Sequence, residues 1–239
     1  MQPTDLCEYL AHNAYPGRGV LLGRSADGQR AVLAYFIMGR SENSRNRVFT
    51  PFEGGVRSEA ADPSKVTDPR LILYTPVRVT DAFTTVVTNG DQTDTVAETL
   101  LAGGTFEQAL RTRAFEPDGP HWTPRVSGVM TVRDGAMAYA LSILKCGDGL
   151  GESVQRFFFE YPQPRAGEGH LLHTYAGPGD PLPSFAGEPV SVCLPVDDLD
   201  TFAASVWNAL DLQNRVSLFV RAIDLADGHT DTRILNQRG

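Results

Sequence analysis

Short apolar runs separated by turn residues recur along the chain and predict many β-strands. Segments 19–23 and 30–38 flank Asp27-Gly28, an Asp-Gly pair that is a strong hairpin signal. The same dipeptide recurs between two later pairs of runs. The other predicted strands are 70–75, 82–88, 126–133, 136–144, 154–161, 171–175, 215–224 and 232–235. Segment 50–69 is polar and rich in Pro, Glu and Asp, which predicts a loop.

Helical spacing of apolar residues appears in fewer places. Thr93 or Asp94 is suited to cap one helix, and Thr105 caps a second, in which Gln108 completes a capping box. Asp198 begins an amphipathic helix. Residues 1–14 are predicted to be a lead-in helix or tail.

The strands and helices are grouped rather than alternating, which favours an α+β fold with sheets packed on each other and helices outside. Because no stretch resembles a linker, we expect one domain over residues 1–239.

Composition narrows the function classes. The net charge of -8 argues against general nucleic-acid binding, which needs a basic surface, although a local positive pocket for a small anion is compatible with it. The three cysteines are widely spaced and predict reduced thiols rather than disulfides or a zinc site. No run of 18 apolar residues and no signal peptide is present, so we expect a soluble, cytoplasmic protein that does not bind membranes.

The densest candidate chemistry lies in segment 39–49, directly after an apolar run. It contains Arg40, Arg45 and Arg47 together with two serines and two asparagines. Arginine holds phosphate or carboxylate in two-point geometry, which favours an anion site. A solvated, flexible loop is the alternative.

Two further polar segments follow. Segment 88–94 joins a strand to a helix N-terminus, where free amides and the helix dipole favour an anionic or polar ligand, and Asn89-Gly90 permits a tight left-handed turn. Segment 116–125 is braced by prolines and carries Glu116, a candidate proton shuttle or orienting group, near Arg125. An ordinary helix cap and a surface turn are the respective alternatives.

Other candidate motifs are weak. His170 and His173 would point to opposite faces of a strand, so no metal site is expected. Residues 157–159 are three consecutive phenylalanines, and we interpret them as part of the hydrophobic core and of an interface between subunits.

Taken in order, these segments resemble the archaeal-type IMP cyclohydrolase family. The matching residues are Tyr15-x-Gly-Arg18, Ala34-Tyr35, Arg40-Ser41, Asn46-Arg47, Tyr74, Thr88-Asn89-Gly90-x-x-Thr93-Asp94, Ala97-Glu98, Glu116 and Thr123-Pro124-Arg125. The resemblance runs from about residue 15 to 132, and more faintly to the end. The segment between Arg40 and Arg47 is two residues longer than in the family, and Gln92 stands where the family often has histidine.

The resemblance implies a four-layer α-β-β-α sandwich like that of the N-terminal-nucleophile hydrolases. It also implies the last step of purine synthesis, in which FAICAR (5-formamidoimidazole-4-carboxamide ribonucleotide) loses water to close the ring of IMP. The expected ligands are the purine nucleotides FAICAR, IMP and AICAR, with no metal or organic cofactor. A homo-oligomer is expected, and the resemblance suggests a tetramer.

The same resemblance suggests site residues. As a hypothesis, Arg40 and Tyr74 donate to the formyl oxygen or the carboxamide, and Glu116 handles a proton. The candidate substrate-binding residues are Ser41, Arg45, Asn46, Arg47, Asn89, Gly90, Thr93, Asp94, Thr123 and Arg125. The pair Asn46-Arg47, with Arg125, would hold the 5′-phosphate or ribose, and Arg45 is a rival phosphate ligand. Asn89-Gly90 and Thr93 would line the base pocket.

Two other functions fit the same pattern. One is a hydrolase of this broad fold acting on another amide or cyclic amidine, although Met1-Gln2 and the lead before Tyr15 offer no N-terminal nucleophile. The other is a purine-nucleotide-binding protein without catalytic activity.

Overall fold

The computed structural model describes residues 2–66 and 73–238, which form two seven-stranded sheets and five α-helices. In spatial order, the first sheet contains β1 (Thr4–Asp5), β12 (Val190–Cys193), β11 (Glu168–His173), β2 (Arg18–Arg24), β3 (Arg30–Met38), β13 (Arg215–Asp224) and β14 (Thr230–Asn236). The second contains β10 (Val154–Tyr161), β9 (Ala136–Cys146), β8 (Arg125–Arg133), β7 (Thr84–Thr88), β6 (Tyr74–Val79), β5 (Gly55–Glu59) and β4 (Val48–Phe52). The helices are α1 (Leu6–Ala11), α2 (Glu42–Arg45), α3 (Gln92–Leu101), α4 (Phe106–Arg111) and α5 (Leu199–Ala209).

Three hydrophobic cores define the layers. One lies between the first sheet and helices α1 and α5, the second between the two sheets, and the third between the second sheet and helices α3 and α4. The order of layers is therefore helix, sheet, sheet, helix. The predicted α+β class and layered sandwich are confirmed, whereas the resemblance to N-terminal-nucleophile hydrolases stays a prediction.

Strand β3 shows how the alternation of side chains places Tyr35 between the sheets. Its nine residues are almost all buried, because the strand lies between two cores. Side chains alternate along a strand, so Ala34 and Phe36 pack toward the helices and Tyr35 and Ile37 pack toward the second sheet. Tyr35 thereby reaches the space between the sheets.

The predicted hairpins around Asp-Gly pairs are confirmed. Strand β2 pairs with β3, β8 with β9, and β13 with β14, all antiparallel. Gly28, Gly135 and Gly228 have φ between 71° and 76°, the left-handed conformation that glycine adopts at little cost. The capping box of Thr105 and the helix begun by Asp198 are also confirmed.

The loop predicted for segment 50–69 is partly wrong, because its first half forms the hairpin of β4 and β5. The turn uses Glu53 and Gly54 at φ of 45° and 73°, a less distinctive signal than Asp-Gly. Pro51 is tolerated because β4 is an edge strand. Of the strand predicted at 70–75, residues 70–72 lie outside the described residues, and β6 begins at Tyr74.

The cap predicted at Thr93 or Asp94 is also misplaced, because Asp91 is the N-cap and α3 begins at Gln92. Within the predicted N-terminal lead, α1 packs against α5. Over the described part of the chain, every helix is too short or too polar to cross a bilayer.

Candidate active site

A polar cleft opens where strand β2 begins and β3 ends, with a volume of about 240 Å³. Four of the predicted site residues line it: Arg40, Ser41, Arg47 and Thr123. Its other polar walls come from Arg18, Asp118, His121 and Tyr175. The cleft therefore collects side chains from segments more than 100 residues apart.

The arginine-rich segment contains a single helical turn, α2. The backbone N–H of Ser44 donates to Ser41 Oγ at 3.1 Å, and that of Ser41 donates to Ser44 Oγ at 3.0 Å. These two reciprocal bonds form a capping box at the N-terminus of α2. Arg40 lies before this turn, Arg45 at its end, and Arg47 beyond it. The turn thus sends the three guanidinium groups in different directions.

Two of these arginines donate hydrogen bonds to other parts of the protein. Arg45 donates to Gly39 O at 2.8 Å and to Asn214 Oδ1 at 3.2 Å, which fastens the segment to the loop before β13. Arg40 is exposed at the mouth of the cleft, donates to Gly179 O at 3.0 Å and lies 5.0 Å from the ring centre of Tyr15.

Arg47 is different, because it is fully buried on the wall of the cleft. Its Nε donates to Ser44 O at 2.8 Å and its Nη2 to Met38 O at 3.4 Å. Within the described ranges, Nη1 has no hydrogen-bond partner and no carboxylate lies within 4.0 Å of the guanidinium. Burial, with the nearby charge of Arg18, lowers the pKa of Arg47. A buried, unpaired cation facing a cleft is suited to an anionic ligand.

Arg18 has a counter-ion, Glu116, whose Oε2 lies 3.8 Å from Arg18 Nη1. Burial raises the pKa of Glu116 above its ordinary value, although Arg18 and Arg125 oppose the rise. Burial also acts to lower the pKa of Arg18, but Glu116 and nearby tyrosines outweigh it and hold that pKa well above the usual range. Arg18 Nε is buried without a partner among the described residues.

Tyr74 reaches this cluster from the other sheet. Its hydroxyl lies 2.7 Å from the hydroxyl of Tyr35, so β3 and β6 present a tyrosine pair between the sheets. Burial raises the pKa of Tyr35 well above the usual range. Tyr74 and Glu116 stand behind the residues that line the cleft, next to Arg18 and Arg47.

Asn89 acts as a clamp. Its Nδ2 donates to Pro124 O at 2.9 Å, and its Oδ1 accepts from Val126 N and from Gln92 Nε2, both at 2.9 Å. These bonds join the start of α3 to the start of β8. The buried amide is thus used by the protein itself.

Gly90 is required by close packing. A Cβ atom there would lie 2.7 Å from Arg125 Nη1, 2.7 Å from Gln92 Oε1 and 3.4 Å from Glu116 Oε1. Its φ lies outside the left-handed region, so the predicted left-handed turn is wrong. Glycine is needed here because neighbouring polar side chains fill the space.

Arg125 is held by the segment that begins α3. Its Nη1 donates to Gln92 Oε1 at 2.5 Å and to Asp91 Oδ1 at 2.6 Å. Asp91 also accepts from Arg113 at 2.5 Å. The charged group beside this helix start is therefore the protein's own carboxylate, and Gln92 orients Arg125.

The remaining predicted residues lie off the cleft wall. Thr93 Oγ1 is 2.7 Å from Thr88 Oγ1, within the turn before α3. Asp94 is exposed and forms a 3.0 Å ion pair with Arg78. Asn46 is buried and exchanges two 2.7 Å hydrogen bonds with the backbone of Asp62.

Ten residues that line the cleft were not among the sequence candidates, and they include Arg18, Asp118, His121 and Tyr175. Arg18 belongs to a motif that carries the family resemblance, and Asp118 and His121 lie inside segment 116–125, so a signal existed for these three. Tyr175 ends a predicted strand and lies in the part of the chain where the family resemblance is faint. His170 and His173 contact different groups on opposite faces of β11, as predicted, and the described residues contain no cluster of three or more metal-ligating side chains.

Replacing Asn89 by alanine is expected to lower the free energy of unfolding by about 2–4 kcal/mol, since it leaves buried Pro124 O and Val126 N unpaired. Urea denaturation measures this. In the control, Asp94→Ala removes only an exposed ion pair and should cost less than about 1 kcal/mol. Equal stability of the two variants would contradict the clamp.

Comparison with known proteins places the chain in a family. The IMP cyclohydrolase-like protein family matches residues 15–229. An IMP cyclohydrolase of Methanopyrus kandleri is 30% identical over 199 residues, which cover 80% of this chain and 92% of that protein. The family match, over residues 15–229, includes the arginine-rich turn, Glu116 and the three tyrosines Tyr35, Tyr74 and Tyr175. The chain therefore belongs to the IMP cyclohydrolase-like family.

Proposed function

We propose that this protein is an IMP cyclohydrolase, which closes FAICAR to IMP and water in the last step of de novo purine biosynthesis. Family membership and the name of the Methanopyrus kandleri relative support the reaction. The structural observation that carries the proposal is the buried, unpaired guanidinium of Arg47 on the wall of a polar cleft, beside the Arg18–Glu116 pair. An anionic nucleotide would pair with the guanidinium of Arg47, and proton transfer would use the Arg18–Glu116 pair.

The reaction defines what the cleft must do. The carboxamide nitrogen of FAICAR attacks the formyl carbon and gives up one proton. The formyl oxygen then leaves as water with that proton and with the proton that the formamide nitrogen loses as it forms a double bond to the former formyl carbon. The nitrogen is a poor nucleophile, so catalysis needs alignment of the two groups, removal of a proton from nitrogen, and stabilisation of charge on oxygen.

The geometry favours particular roles. Arg47 holds the 5′-phosphate, because a desolvated cation without a counter-ion is best compensated by a ligand that is anionic in its ground state. Arg18 donates to the oxygen on which charge develops. Glu116 and Tyr74 stand behind the cleft wall, so they act through a bridging water: Glu116 takes the proton from nitrogen and returns it to that oxygen, and Tyr74 donates toward the same oxygen. Arg40, at the mouth of the cleft, positions the substrate.

Incubation of the protein with FAICAR, followed by the absorbance of IMP, tests the function. We expect turnover without an added cofactor. Thermal stabilisation by IMP or AICAR without any turnover would instead support a nucleotide-binding protein that lacks catalysis. Absence of both would refute the proposal.

A further inference from the structure

Three residues form a chain of hydrogen bonds along one wall of the cleft. Asp118 accepts from the backbone N–H of Thr123 at 2.7 Å and, through its other oxygen, from the Thr123 hydroxyl. Thr123 Oγ1 lies 2.5 Å from the hydroxyl of Tyr175. All three residues line the cleft.

The chemistry of these groups fixes the direction of the chain. A carboxylate only accepts hydrogen bonds, so the single hydroxyl proton of Thr123 goes to Asp118. Thr123 Oγ1 must then accept the proton of Tyr175. Burial raises the pKa of Tyr175 to about 12, so this hydroxyl keeps its proton at neutral pH.

The oxygen of Tyr175 is consequently left with lone pairs and no proton to offer. Its ring is held in place by stacking on Tyr15, with centroids 5.9 Å apart, and its backbone N–H donates to Pro16 O at 3.1 Å. Within the described part of the chain, Thr123 is the one hydrogen-bond partner of this hydroxyl. The wall therefore presents a fixed acceptor to the cleft.

We propose that Tyr175 accepts a hydrogen bond from the carboxamide N–H of the substrate, and that Asp118, acting through Thr123, makes this site select imidazole carboxamides over imidazole carboxylates. The selection rests on the proposed function, since it concerns the same substrate. A device that selects the carboxamide is needed, because Arg18 and Arg47 in the same cleft would otherwise favour an imidazole carboxylate. Asp118 is thus a positioning residue, and Tyr175 is the group that contacts the substrate.

The substitution Asp118→Asn reverses the chain while keeping its shape. The amide oxygen still accepts the Thr123 N–H, but the amide NH₂ now donates to Thr123 Oγ1. The Thr123 hydroxyl turns to Tyr175, and the Tyr175 hydroxyl is freed to donate into the cleft. A site that donates here prefers a carboxylate, and loss of a matched hydrogen bond typically costs a ligand about tenfold or more in affinity.

The test compares Kd values by calorimetry for AICAR and for its 4-carboxylate analogue. Wild type should prefer AICAR, and in Asp118→Asn the ratio of the two Kd values should move by about 100-fold toward the carboxylate. Binding is chosen over turnover because Asp118 also lies near Glu116. Thr123→Val cuts the chain without reversing it and should shift the ratio by a smaller amount, in the same direction, which keeps the test open if the first variant misfolds.

The outcomes separate this proposal from the function. An unchanged ratio in both variants, with FAICAR turnover in wild type, refutes the selection and leaves the cyclohydrolase function standing. A shifted ratio without FAICAR turnover supports the selection and refutes the reaction. Wild-type protein that binds neither nucleotide refutes both.

Discussion

Replacing Glu116 by glutamine is expected to lower kcat for FAICAR cyclisation by about 10²–10⁴-fold, the usual contribution of a general base. Glutamine keeps the shape of the buried side chain but cannot take a proton. Because Glu116 stands behind Arg18 and not on the cleft wall, the Kd for IMP should change far less than kcat.

The pH profile tests the same role. A base acts only as the carboxylate, so kcat/KM should fall as the pH drops through the pKa of Glu116. Burial raises that pKa above the ordinary 4.5, which places this limb at a higher pH than an exposed glutamate would give. In Glu116→Gln the limb should be absent.

The exposed Glu98 on α3 offers a matched control. Glu98→Gln removes the same charge from the surface and should leave kcat and the acid limb unchanged. If Glu116→Gln retains wild-type turnover, Glu116 serves only as the counter-ion of Arg18.

Replacing Arg47 by methionine is expected to raise the Kd for AICAR by about 10–150-fold, the equivalent of the roughly 1.5–3 kcal/mol that a charge-assisted hydrogen bond contributes. Methionine fills a similar buried volume without charge. The corresponding riboside lacks the phosphate, so its Kd should scarcely change. Calorimetry on both ligands measures the difference.

The same variant should fold normally. Arg47 carries a buried charge with no carboxylate in ion-pair range over the described residues, so removing it relieves a desolvation cost that offsets the two lost hydrogen bonds. We expect the free energy of unfolding to fall by no more than about 1 kcal/mol. Equal weakening of nucleotide and riboside would show that Arg47 contacts the base instead.

Arg45 is the natural control, because it is two residues away and has the same side chain. Its donors are bonded to Gly39 O and Asn214 Oδ1. Arg45→Met should therefore lower stability, while the Kd for AICAR stays near that of wild type. The reverse result, weaker binding with unchanged stability, would transfer the phosphate role to Arg45.

Local features were predictable where the cause is local. Asp-Gly turns specify hairpins because both residues tolerate the required φ, and the Thr105 capping box is complete within four residues. The β4–β5 hairpin was missed because β4 is an edge strand that contains Pro51 and because the turn is Glu53-Gly54 instead of Asp-Gly. Proline and polar residues have low strand propensity, so here pairing with the neighbouring strand decides the conformation.

The sequence alone determined the strands and helices with strong local signals, the α+β class and the family, since these depend on periodicity, turn chemistry and ordered motifs. The tertiary structure decided which polar residues face the cleft. Arg45 is bound by Asn214, 169 positions away, whereas Arg47 meets no such acceptor for its Nη1 in the described ranges. A guanidinium binds whichever acceptors the fold brings near, and for Arg40 and Arg45 these include groups from distant segments, so three arginines that look alike in sequence make different contacts in the folded protein.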